Sequence, residues 1–463
     1  MKYISTRGKA PILGFQDIVM EGLALDGGLY LPEKFPKIPH RSIRALRGKS
    51  YKEIAKAVVW AFIENEIEYS DFEKIVDESY STFHHAAVCP LVQIAPNEFI
   101  LELFHGPTLA FKDIAMQFLA RLMDHILQKK RTKATIIGAT SGDTGGAAIE
   151  AFANRANSTL FILFPKGRIS PIQQRQITGN HAKNVHAMGI EGNFDDCQVL
   201  VKSMFNDHNF RRKSALAGVN SINWARIMAQ TVYYFSAAIS LGSPEKSVSF
   251  SVPTGNFGDI FAGFIASRMG LPIAQLIIAN NENDILTRML QSGIYEPRNI
   301  IYTTSPSIDI QMPSNLERLL FEIGDRDTAF IRHTIATLET NGSFTLDKNK
   351  HTEITKLFSA GRSSMNETAE TIKTVFSTSG YLADPHTAIA IKVGREHIDS
   401  STPMVILATA HPAKFPQTVK EACGNNPQLP PWARIPITER FEVYKKDEER
   451  IKAAILAYSG IQK

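Results

Sequence analysis

The segment FHGPTLAFKDIAMQFLARLMDHIL, Phe104 to Leu127, contains the first residue with an evident chemical use. At about 100° per residue it reads as an amphipathic helix after a turn. Asp113, Gln117, Arg121, Asp124 and Gln128 share one narrow polar face; Met116, Leu119, Met123 and Ile126 line the opposite one. Lys112 falls on the apolar side. A lysine at a helix end can lay its stem on apolar surface and keep its head in water. Alternatively, an amine partly removed from water has a lowered pKa, so its neutral, nucleophilic form is populated and can form a Schiff base with an aldehyde.

Three loops could supply the rest of such a site. In VPTGNFGDIFAGF, Val252 to Phe264, a strand ends, Gly255 and Gly258 follow, and a helix begins. Glycines let backbone N–H groups approach a ligand, and a helix N-terminus adds positive partial charge, which together suit a phosphate. An ordinary strand-to-helix turn explains the glycines equally well. Neither GxxxxGK[ST] nor GxGxxG occurs, so the phosphate of a typical nucleotide is disfavoured. In IIGATSGDTGGAAIEAF, the run Ser141, Gly142, Asp143, Thr144 and Gly145 could hold a carboxylate, and Asp143 and Thr144 are also good helix caps. In LATAHPAKF, Thr409 ends an apolar strand; its hydroxyl can satisfy a backbone group or meet a heterocycle nitrogen. A lysine near an apolar core together with a phosphate cradle lacking a nucleotide motif suggests pyridoxal phosphate. HExxH and GxSxG are absent.

These loops need strands and helices to place them. ATIIGAT, TLFILF, SVSFSVP, AQLIIAN and PMVILATA are short apolar runs, each followed by a polar or glycine loop and a helical pattern. That alternation predicts βαβ units and parallel sheets covered by helices, with ligands at the carboxyl ends of the strands. The stretch to about residue 95 mixes turn signals with helical patterns and reads as a small N-terminal domain or wrap. EVYKKDEERIKAAILAYS reads as a closing surface helix.

The 463 residues, 44% hydrophobic and 21% charged, suit two or three domains with a sizeable core. A net charge of +5 from 51 basic and 46 acidic residues is mild, and no basic block points to nucleic acid. Cys89, Cys197 and Cys423 are scattered, with no CxxC, so neither a metal site nor a disulfide framework is expected. The N-terminus shows no apolar signal region, and no run approaches bilayer length. A cytoplasmic protein with no membrane partner is the expectation.

The segments YISTRG, ALDGGLYLP, FHGPTLAFKD, ATSGDTGGAA, NSINWARIMAQ, PTGNFGD, SPSIDIQMPSNLER, ADPHTA and LATAHPAKFP, in this order, cover nearly the whole chain. By them it resembles the threonine synthases, pyridoxal-phosphate enzymes of fold type II, in the branch shared by bacteria and fungi. The resemblance implies an α/β fold related to the tryptophan synthase β chain. It would have two three-layer parallel-sheet domains plus a small N-terminal domain, with boundaries near 1–95, 96–240 and 241–463. It implies Lys112 as the Schiff-base lysine. Gly255, Asn256, Phe257 and Gly258 would bind the cofactor phosphate, Asp259 would close that loop, and Thr409 would face the pyridine nitrogen. The loop beside the ring reads SGD where the wider group often has SGN, so Asp143 cannot give the amide donor expected at the ring's 3′ oxygen. Ser141, Gly142, Asp143, Thr144, Lys166, Arg168, Asn223, Arg226 and Asn315 lie in segments implied to contact the substrate, O-phospho-L-homoserine. The implied reaction expels phosphate and adds water to give L-threonine, in a monomer or homodimer whose site closes on substrate. A phospho-lyase releasing 2-oxobutyrate and ammonia, and an inactive scaffold of the same fold, are the rival readings.

Overall fold

The computed structural model describes residues 1–63 and 65–459. Two parallel-rich sheets organise it. The larger contains β3 (Leu91–Ala95), β4 (Glu98–Glu102), β9 (Val248–Pro253), β10 (Ile273–Asn280), β13 (Phe358–Arg362) and β14 (Met404–Ala408). Its order is β13-β10-β9-β14-β4-β3, parallel except for the β3–β4 hairpin at the edge. The smaller contains β5 (Ala134–Ala139), β6 (Ser158–Pro165), β7 (Val185–Ile190), β8 (Leu216–Gly218) and β15 (Glu442–Tyr444), in the order β15-β7-β6-β5-β8, all parallel. Two small antiparallel pairs, β1 (Tyr3–Ser5) with β2 (Tyr30–Pro32) and β11 (Ile294–Tyr295) with β12 (Phe344–Thr345), lie outside them.

The five apolar runs read as strands are β5, β6, β9, β10 and β14. Every residue of β9 and of β14 is buried, as central parallel strands covered on both faces require. Sheet membership does not follow the sequential boundaries. β3 and β4 join the sheet of the C-terminal half, and β15 returns to complete the sheet of the middle third. The segment read as one closing helix therefore splits. Glu442–Tyr444 is an edge strand, and the helix runs Glu448–Tyr458, burying Ile451 and Ile455 on the smaller sheet's core. An extended Pro-rich strap, 425–441, leads from the Pro416–Cys423 helix to β15 and stacks Trp432 on His84 at 4.2 Å.

The N-terminal stretch has no core of its own. Phe15, Val58, Phe62 and Phe72 share one cluster with residues of both sheets. The Lys112–Lys130 helix corrects the amphipathic reading: Asp113 and Gln117, on its polar face, are buried as well. Only the far end of the polar stripe, at Gln128, faces water; nearer Lys112 its groups meet other polar groups, as where Arg121 donates to the Gln117 side chain at 2.7 Å. No helix among the described residues is long and apolar enough to cross a membrane.

Candidate active site

Lys112 is the first residue of its helix. The turn before it is stitched to the chain that follows β14. Leu103 N–H donates to Ala408 O at 3.0 Å, Phe111 N–H to Thr409 O at 2.8 Å, and His411 N–H to Leu109 O at 3.0 Å. Ala110 and Ala410 form an isolated antiparallel bridge. The nucleophile candidate and Thr409 are thus parts of one local structure. Gly106 is required in that turn, because a Cβ there would lie 2.5 Å from the Asp113 Cβ. Asp113 in turn accepts from the Thr108 N–H and hydroxyl, both at 2.7 Å, and burial pushes its pKa up to about 7.

The Lys112 side chain is 14% exposed, with Nζ 4.0 Å from Asp143 Oδ2 and 4.9 Å above the Phe111 ring. That is not a lysine with its head in water. Burial lowers its pKa; Asp143 opposes the shift, the Arg226 and Lys414 cations reinforce it, and Asp259 opposes it. The neutral amine is therefore more accessible than in a surface lysine.

The loop after β9 is built as an anion cradle. Phe257 takes a left-handed φ of 63° at the cap of the Gly258–Met269 helix. The N–H groups of Gly255, Asn256, Phe257 and Gly258 donate to no protein acceptor among the described residues. A Cβ on Gly255 would meet Ser307 O at 2.6 Å, so glycine is demanded by close backbone approach rather than by turn geometry alone. Asp259 is held from behind. Tyr234 donates to Oδ1 at 2.9 Å and Tyr233 makes a second short bond, while Oδ2 has no partner among the described residues. Burial raises its pKa to about 6.

The SGDTG loop follows β5. Gly142 adopts φ 147°, and a Cβ there would fall 2.4 Å from the Gln173 side chain. Thr140 Oγ1 accepts from Gly142 N–H at 3.0 Å and Gly145 N–H at 2.8 Å. Asp143 is buried, and Lys414, Lys112 and Gln173 hold its pKa below the usual carboxylate range against the cost of burial. Ser141 is exposed and Thr144 half-buried beside it.

Three family models cover most of the chain: Threonine synthase N terminus on residues 2–80, Pyridoxal-phosphate dependent enzyme on 92–338, and Threonine synthase, C-terminal on 387–455. Threonine synthase of Pseudomonas aeruginosa is 50% identical over 93% of this chain and 92% of its own length. The chain belongs to the threonine synthase family. Two solved threonine synthases share its fold. The one from Brucella melitensis, a PLP-bound crystal structure, superposes with a TM-score of 0.97 at 60% identity, covering 99% of this chain and 100% of that one. The yeast enzyme gives 0.93 at 38% identity, covering 99% and 98%. The fold is that of fold type II pyridoxal-phosphate enzymes, and the free N–H groups at Gly255 to Gly258 and the buried Lys112 fit that cofactor's phosphate and aldehyde.

Within this threonine synthase fold, the residues implied to touch substrate divide. Arg226 is buried without a carboxylate: Nη1 donates to Val219 O at 3.1 Å and Nε has no partner among the described residues. Such a guanidinium is ready for an anion. Asn223 is committed elsewhere. It caps the Trp224–Ser240 helix through Ala225 N–H, and its amide donates to Val19 O at 2.8 Å and Gly218 O at 3.2 Å. Asn315 is equally occupied, donating to Asn256 O at 3.0 Å and to Ser221 O at 3.3 Å and accepting from Arg318. It braces the Gly255–Gly258 loop from outside, so both asparagines, implied to contact substrate, have their hydrogen bonds taken up by the scaffold. Lys166 and Arg168 stand exposed in the turn after β6. Lys414, Thr140, Tyr233 and Tyr234 were not singled out by sequence. Lys414 lies inside LATAHPAKF, but nothing in that segment separates it from an ordinary loop lysine.

Proposed function

We propose that this chain converts O-phospho-L-homoserine and water to L-threonine and phosphate, with Lys112 as its reacting amine. The observation that carries the reading is the union of a buried Lys112 with the free N–H cradle of the Gly255–Gly258 loop and the stitched Thr409. Bound there, pyridoxal phosphate supplies an aldehyde that exchanges amines and a ring that takes up electrons from the substrate Cα.

The four N–H groups at 255–258 hold the phosphate, reinforced by the start of the Gly258–Met269 helix. Thr409 offers the ring nitrogen a neutral hydroxyl in place of a carboxylate, which leaves that nitrogen less protonated. Once the substrate amine has displaced it, Lys112 Nζ carries one proton at a time. It takes the Cα proton and passes it to the bound cofactor, takes the Cβ proton as phosphate leaves Cγ, and gives that proton to Cγ to make the methyl group. The first proton returns to Cα after water has added at Cβ. Ser141 and Thr144 hold the substrate carboxylate, and Arg226, through its open Nε, attracts the leaving phosphate. Lys166 and Arg168, exposed in the turn after β6, are cations that closure over the substrate would bring to that phosphate while excluding stray water. The protein is proposed to act on this small molecule alone, as a monomer or homodimer in the cytoplasm. Its three free cysteines suit a reducing compartment.

The purified protein is expected to absorb in the near-visible, and borohydride to abolish the band and leave the cofactor fixed to Lys112 by mass spectrometry. With O-phosphohomoserine it should release threonine; 2-oxobutyrate as the main product would overturn the synthase reading. Lys112→Ala should lose turnover by at least about a thousandfold while still binding cofactor non-covalently. A protein that stays colourless with added pyridoxal phosphate would sink the whole assignment.

A further inference from the structure

Lys414 sits in the short turn Pro412–Lys414 after β14 and is completely buried. Its ammonium has three acceptors: Thr108 O at 2.7 Å, Gln176 Oε1 at 3.0 Å and Asp143 Oδ1 at 2.9 Å. The set matches its three N–H donors, so the head is fixed in position. Asp143 Oδ1 also accepts from Gln173 Nε2 at 2.9 Å, leaving Oδ2 turned to Lys112 Nζ at 4.0 Å. Lys414 follows a strand of the larger sheet, whereas Asp143, Gln173 and Gln176 belong to loops and helices of the smaller one. The row Lys112, Asp143, Lys414 therefore crosses the seam between the sheets, one residue type removed from the chemistry.

We propose that Lys414 is a positioning residue for Lys112: acting through Asp143, it aims the carboxylate at Nζ and sets the pH at which that nitrogen loses its proton. The inference deepens the assignment of Lys112 and rests on it. Four charged groups bear on Lys112: Asp143 from the loop after β5, Arg226 from the Trp224–Ser240 helix, Lys414 from the turn after β14, and Asp259 from the Gly258–Met269 helix. Two are anions and two are cations, so removing one tips the balance. With Lys414 gone, a repelling charge is lost and Asp143 has no second cation to share. Both changes favour the protonated nitrogen. Removing the Asp143 charge acts in the opposite direction, because Lys414 and Arg226 remain.

The test is a pH titration of the holoenzyme's near-visible cofactor band, with the pH profile of kcat measured alongside. Lys414→Met should raise the midpoint of the band or of the acid limb by about one pH unit or more, and Lys414→Arg should bring it back toward the wild-type value. Asp143→Asn should lower it. A Lys414→Met holoenzyme that loses thermal stability while both midpoints stay at the wild-type pH would overturn the proposal, since that is the behaviour of a merely structural lysine. If Lys414→Met yields no folded holoenzyme, Asp143→Asn decides: a lowered midpoint supports the row of charges and an unmoved one overturns it. A wild-type chain with no cofactor band at all would instead refute the assignment of Lys112 beneath it.

Discussion

At the residue scale, Asp113 in the Lys112 turn is set by burial more than by its partners, unlike Asp143, whose cations outweigh burial. Asp113 has a pKa of about 7 against an ordinary 3.8. Between those values the folded chain keeps a proton that the unfolded chain has released. Stability attributable to this residue therefore falls as pH rises through that window. Asp113→Asn keeps an acceptor for the Thr108 N–H and removes the titration. Its melting temperature is expected to gain on the wild type from about pH 4 to about pH 7 and to run parallel above, as followed by calorimetry of the holoenzyme at several pH values. Lys112 was legible in the sequence because a charge on an apolar helical face is conspicuous. Lys414 was not, because HPAKF has no periodicity and its burial arises only when the smaller sheet closes over it. Asn223 and Asn315 lay in the right segments, but nothing in a one-dimensional pattern separates an asparagine that touches substrate from one that caps a helix or braces a loop.

At the scale of elements, the strand-to-helix loops were readable from apolar runs ending in glycine, and what holds them in shape was not. The SGDTG loop has little side-chain bulk of its own; besides the anchors on Asp143, its start is held by one hydroxyl, Thr140 Oγ1, which receives two N–H groups. Thr140→Val preserves shape, leaves the buried Gly142 N–H without its acceptor and leaves the Gly145 N–H with Gly142 O alone. It is expected to reduce unfolding free energy by about 1–3 kcal/mol and to raise the KM for substrate more than it lowers kcat, because Ser141 and Thr144 ride on that loop. Denaturant melts and steady-state kinetics check the two parts. Several strands of the two sheets lack a clear apolar run; among them β7 and β13 carry His186 and Met188 or Gly361 and Arg362, so alternation and β-branching are both weak. β15 was hidden inside a charged stretch and is recognisable only by its pairing with β7.

At the scale of the molecule, the chain is interlaced rather than divided into consecutive domains. The Glu448–Tyr458 helix follows the larger sheet in sequence and stabilises the smaller one in space, through Ile451 and Ile455 packed with Cys197, Leu200 and Met204. Ile451→Ala should destabilise the protein by about 2–5 kcal/mol. The lost hydrogen-exchange protection should concentrate in β6 and β7, not in β14, which is nearer in sequence. Equal loss in both sheets would show that the two melt as one unit.

The placement of β14 between β9 and β4 also bears on how such a chain is made. Glu98 pairs with Met404, so a strand that leaves the ribosome early has to wait for one that leaves late. Until then the β3–β4 hairpin presents a bare edge, and the turn carrying Lys112 lacks the Thr409 carbonyl that pins it. Lys112 thus reaches its final surroundings near the end of synthesis, and a truncated product is left with an unpaired sheet edge and an unpinned turn.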